Sequence, residues 1–117
     1  MSTLTPAQAK QEIDSVLLAA RDLSARHIEI IVRPEIAFIQ FSHEEWTKVH
    51  VEWTEDHANE VMGQFFIDLK RTQGHEEDPR PEEAMLDRSE TKGVNIRARV
   101  STIPLWPEGY DVIINLL

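Results

Sequence analysis

Two arginines, Arg97 and Arg99, stand at alternate positions in the stretch "NIRARVS". Residues two apart on a strand share a face, so the two guanidinium groups make one positive spot. The chain around them is acidic, with a formal net charge of -9. A guanidinium pair of this kind suits a phosphate or an acidic patch on a partner protein. The plainer reading is cross-strand pairing with an Asp or Glu on the neighbouring strand.

Other reactive residue types are less pointed. His50, Glu52 and His57 are metal-ligand types, but two fall on a predicted strand and one in the next helix. Their spacing fixes no coordination geometry, and solvent-exposed polar residues are expected. Glu76, Glu77, Asp78, Glu82 and Glu83 lack the alternating ligands around a glycine that a calcium loop needs, so they read as a solvated loop. Trp46, Trp53 and Trp106 lie beside strands, where aromatic rings serve core or interface. Ser42 and His43 adjoin in sequence, which makes no nucleophile–base pair without spatial geometry and a buried acid. No nucleophile-elbow or phosphate-loop pattern occurs, and the chain has only 4 glycines. The expectation is no catalytic residue, no metal and no cofactor held by this chain.

The elements that must position these residues follow from periodicity. The chain has 117 residues, 41% hydrophobic and 28% charged, which suits a single domain spanning 1–117. Its acidity argues against nucleic-acid and anionic-membrane binding, where cations must neutralise phosphates. Without cysteine, disulfides and thiolate chemistry are excluded. No run is apolar enough to span a bilayer, and the N-terminus is polar where a signal peptide needs basic and then apolar residues. A cytoplasmic location is expected.

Thr5, Pro6 and Gln8 form a capping-box pattern. Ile13, Val16, Leu17, Ala20 and Leu23 then recur at helical spacing, predicting a helix over 6–23. "RHIEIIV", "IAFIQF" and "WTKVHVEW" predict three strands. In the third, Val49, Val51 and Trp53 are expected on one face and Lys48, His50 and Glu52 on the other. Thr54 caps a second helix, with Ala58, Val61, Met62, Phe65, Phe66 and Leu69 as its apolar stripe and Gly74 as its stop. A charged loop leads to a short strand around 85–88 and a turn at "ETKG". "VNIRARVS" alternates, with Val94, Ile96, Ala98 and Val100 inward. "YDVIINLL" is the last strand. Short turns favour antiparallel pairing. The prediction is an α+β domain, α-βββ-α-βββ, with an antiparallel sheet of about six strands and two helices on one face.

Residues 97–117, "RARVSTIPLWPEGYDVIINLL", resemble the segment just before the nucleotide-binding domain of type II secretion and type IV pilus assembly ATPases. That pattern runs R-V-S-T-L-P-T, then a turn with G-E, then an apolar strand ending R-L-L. Arg99 to Pro104 match its first part; Gly109 and Val112 to Leu117 match the rest loosely. Upstream, Ser24, His27, Ile28 and Glu29 resemble the family's A-S-D-I-H-I-E-P, and Pro81 and Glu83 keep part of L-P-Q-D-G-R-I. The order and spacing of the three blocks agree over roughly residues 15 to 117. Asn115 stands where the family has its last arginine, Ala25 where it has Asp, Tyr110 where it has Glu, and Glu83-Ala84 where it has D-G.

The resemblance implies a bacterial, cytoplasmic, PAS-like α+β domain that is itself non-catalytic. It would pack on the motor domain of its own and neighbouring subunits in a hexameric ring. It would couple ATP-driven motion to inner-membrane secretion or pilus platform proteins. ATP and magnesium belong to the motor domain, whose Walker motifs are not in this sequence. On this resemblance the hinge to that motor would start after Leu117, and the chain would be either one cut there or a free-standing relative. The resemblance gives Arg99, and after it Arg97, the role of reaching nucleotide phosphate or a neighbouring subunit. The other reading is a stand-alone acidic interaction or sensor domain. A gene that runs on past Leu117 into a Walker A loop distinguishes the two.

Overall fold

The structure, a computed structural model, describes residues 4–73, 83–88, 93–105 and 108–117. Helix α1 (Pro6–Asp22) opens on the expected capping box. The Thr5 hydroxyl accepts from the Gln8 N–H at 3.1 Å, and the Thr5 N–H donates to Gln8 Oε1 at 2.9 Å. A cap of this kind contributes roughly 1 kcal/mol. At the other end Leu23, Ser24 and Ala25 N–H groups donate to the carbonyls of Ala19, Arg21 and Ala20. Ser24 takes a left-handed conformation, φ 58°, which turns the chain out of the helix.

Three strands follow: β1 (His27–Val32), β2 (Ile36–His43) and β3 (Trp46–Thr54). Helix α2 (Glu55–Gln73) then leads to β4 (Glu83–Arg88), β5 (Ile96–Pro104) and β6 (Tyr110–Leu116). All strands join one antiparallel sheet in the order β3-β2-β1-β6-β5-β4. The two consecutive three-stranded meanders therefore meet at the β1–β6 pair. Since β3 and β4 are the two sheet edges, α2 belongs to a connection that runs from one edge to the other.

Alternation decides which side the helices cover. Ile28, Ile30, Val32, Ala37, Ile39, Phe41, Ala98, Val100, Val112 and Ile114 are buried on the inner side. The expected stripe of α2, from Ala58 to Leu69, is buried against them, as are Ile13, Val16, Leu17 and Ala20 of α1. Fully burying each large side chain contributes about 1.5–3 kcal/mol. Arg88 ties the layers together: its Nε lies 3.4 Å from Asp14 on α1, and Nη2 lies 4.0 Å from Asp68 on α2. Trp53 is buried in this core and Trp46 packs against it.

The third strand departs from its predicted alternation. Ile39 pairs with Val51 but the next residue, Gln40, pairs with Val49, leaving His50 as the extra residue of a β-bulge. A bulge shifts the side-chain phase by one. Val49 therefore sits with Gln40 on the uncovered side, 50% exposed, and not with Val51 and Trp53. His50 stacks on the Phe41 ring, 4.5 Å between centroids. Strand β5 starts at Ile96, two residues later than expected, because Asn95 at φ 51° cannot continue a ladder. Strand β4 starts at Glu83, two residues earlier. Of the expected "ETKG" turn only Gly93, at φ 86°, is described, and its other residues and most of the acidic loop lie outside the described residues.

Gly109, in the turn that feeds β6, has φ 104°, and a Cβ there would sit 2.2 Å from the Val32 carbonyl oxygen. Val32 is backbone at the end of β1 and cannot yield without breaking its pairing with Tyr110. Gly109→Ala is therefore expected to destabilise the domain by at least about 2 kcal/mol, through clash and left-handed strain together. Urea denaturation checks this; an unchanged midpoint would contradict the close approach.

Candidate functional site

The side of the sheet opposite the helices carries the ionisable groups that the sequence placed outward. Arg97 and Arg99 both project there from β5, with side chains 60% and 59% exposed. Each has a carboxylate on the edge strand β4. Arg97 Nε lies 4.0 Å from Asp87 Oδ2, and Arg99 Nε lies 4.0 Å from Glu83 Oε1. Asp87 is directly opposite Arg97 in the ladder, whereas Glu83 reaches Arg99 diagonally, since Arg99 faces Met85. The cross-strand pairing foreseen as the plainer reading is thus present. Exposed pairs of this type contribute about 0–1 kcal/mol, so either arginine can exchange its carboxylate for another anion at small cost.

On its other side Arg99 faces Asn115 of β6, which faces His27 of β1. Asn115 Oδ1 hydrogen-bonds His27 Nδ1. One row across three strands therefore runs Arg99, Asn115, His27. The asparagine found where the resembled family has an arginine is engaged with a neighbouring histidine.

The next two rows hold what the sequence reading missed. Glu29 of β1 faces Ile113, and Asp111 of β6 faces Ile31, so the two acids are diagonal neighbours on the uncovered side. Gln40 Nε2 donates to Glu29 Oε1 at 3.2 Å. The Asp111 carboxyl stands beside Glu29, close enough to share a hydrogen bond when one of the two is protonated. Asp111 Oδ1 is buried with no donor among the described residues. Burial pushes the Asp111 carboxyl up to about 7, helped by the hydrogen bond and by the negative charge of Glu29; Arg33 opposes the rise. Half-buried Ile31, Phe38 and Ile113 flank the pair. An acid in the otherwise apolar "DVIIN" was the available signal, but only the β1–β6 register gives it a partner.

The histidines do not converge. His50 is the bulge residue on Phe41, Glu52 lies across from Phe38, and His57 on α2 contacts Glu12, 3.6 Å away, and the edge of Trp53. Among the described residues no three His, Asp or Glu side chains group as metal ligands. Glu76, Glu77, Asp78, Glu82 and Trp106 lie outside the described residues. No helix is long and apolar enough to cross a membrane among those described.

The sign of the Asp111 effect on stability is fixed. The folded state keeps the proton up to about pH 7, whereas a free carboxyl releases it near 3.8. The stabilising contribution is thus complete below pH 3.8 and is lost as pH rises to 7. Asp111→Asn removes that titration and still offers Glu29 a donor. It is expected to be more stable than the parent above pH 7, by on the order of 1 kcal/mol since solvent screens a half-buried pair. The difference should shrink to nothing toward pH 4. Urea midpoints of both proteins across that range check it, and a constant difference would remove Asp111 as the titrating group.

The chain matches no known protein-family model, and no curated protein is detectably similar to it in sequence.

Proposed function

We propose that this domain is non-catalytic and works through protein contact, as a module of the kind that precedes the motor domain in type II secretion and type IV pilus assembly ATPases. The observation that carries the reading is a sheet with helices on one side only, whose other side presents exposed Arg99 and Arg97 beside half-buried apolar residues. The α+β architecture with one antiparallel sheet agrees with the PAS-like domain that the resemblance implies. The block "RVSTIP" falls on β5, with Arg99 outward and Val100 in the core. The partners on this reading are a motor domain of the same or a neighbouring subunit and the membrane platform proteins, met in the cytoplasm.

In the mechanism Arg99 leaves Glu83 and meets a nucleotide phosphate or a carboxylate of the adjoining subunit when the ring closes. The exposed pair with Glu83 holds it only weakly. Arg97, paired with Asp87, is the second such group. The reading of a stand-alone acidic interaction or sensor domain draws on a different observation. Both arginines already have a carboxylate partner, and burial raises the Asp111 carboxyl to about 7.

In a hexamer that carries this domain ahead of its motor domain, Arg99→Ala is expected to lower the ATPase rate about tenfold. That is the loss of one charge-assisted hydrogen bond, roughly 1.4 kcal/mol. Steady-state ATP hydrolysis measures it. An unaltered rate takes Arg99 out of the mechanism.

A further inference from the structure

A second pair of arginines, Arg21 and Arg26, lies at one end of the molecule. A cleft of about 250 Å³ opens there, where α1 ends, β1 and β5 begin and β6 finishes. Its polar side chains are Arg21, Ser24, Arg26 and Asn95, Leu117 stands at its edge, and among the described residues no Asp or Glu side chain lines it. Buried Ala25 and Ile96 and half-buried Leu116 form apolar wall. On a chain of net charge -9, two arginines lining one cleft with no acidic side chain in its described lining are unexpected from composition.

Hydrogen-bond accounting shows which donors are free. The N–H groups of Ser24, Ala25, Arg26, Leu116 and Leu117 are all committed to backbone carbonyls. The carbonyls of Ala19, Ala20 and Arg21 accept in the helix cap, so the negative end of α1 is partly satisfied internally. What remains is side-chain donors. Arg21 uses Nη1 on the Val94 carbonyl, which fixes its plane and leaves its other N–H groups available. Arg26 lies 3.9 Å from Glu44, with both side chains mostly exposed, a contact that restrains it little.

We propose that this cleft binds a small oxyanion, a phosphate or carboxylate group, held between Arg21 and Arg26. Planar guanidinium forks match both anions bidentately. The apolar wall keeps competing water from one side and strengthens the pairing. Ser24 and Asn95 supply neutral hydrogen bonds at the rim. Their left-handed backbones, φ 58° and 51°, turn the chain at the cleft. The volume suits a single small group, such as one phosphate or one short dicarboxylate.

The test follows the arginine Nε–H resonances of the isotopically labelled chain during titration. Sodium phosphate, sodium succinate and sodium chloride are compared at matched ionic strength. The Arg21 and Arg26 signals are expected to shift saturably with phosphate or succinate and not with chloride. The anion that saturates at lower concentration identifies the class. Arg26→Gln, which disturbs only the exposed contact with Glu44, should weaken that binding about tenfold. Arg21→Gln should do the same, with folding confirmed by retained signal dispersion. Equal shifts in chloride, no saturation with either oxyanion, or unchanged affinity in Arg26→Gln would each overturn the proposal.

Discussion

Everything in the domain depends on the antiparallel pairing of β1 with β6. Each meander closes by local turns, but only this long-range pair, six residues from His27–Asn115 to Val32–Tyr110, turns two three-stranded pieces into one sheet. Loop closure over most of the chain must precede it. The inner residues of that pair, Ile28, Ile30, Val32, Val112 and Ile114, lie at the centre of the core under both helices. The tight approach of Gly109 to Val32 is set by the same pairing.

The pairing also creates the chemistry of the uncovered side. Glu29 and Asp111 are 82 residues apart in sequence and meet because β6 lies beside β1. The Asn115–His27 bond arises in the same way, and links β1 to the row that ends at Arg99. A surface built across a junction reports on whether the junction is intact. The protonation of Asp111 and the positioning of Asn115 therefore both depend on the assembly of the two halves.

Much of this was legible in the amino-acid order. The Thr5–Gln8 box, the α2 stripe and the β5 alternation each rest on a local period, and local periods survive into the fold. What failed did so for stated physical reasons. The phase of β3 was lost because a bulge is decided by the partner strand, where Ile39 and Gln40 face Val51 and Val49. The Glu29–Asp111 contact was invisible because strand order between distant segments has no local signature. Arg97 and Arg99 were placed on the correct side, and their carboxylate partners could be foreseen as a residue type but not as Asp87 and Glu83. Arg88, inward on β4 between Asp14 and Asp68, has no local signal, because its two acids come from helices far away in sequence.

The bulge at His50 has a consequence for how copies of this molecule can meet. A long flat outer strand invites a second chain to zip onto it and to repeat the addition without end. Here the outermost strand changes pleat halfway along, so an incoming straight strand that matches one half is out of step with the other. Growth into ribbons along that border is thereby frustrated.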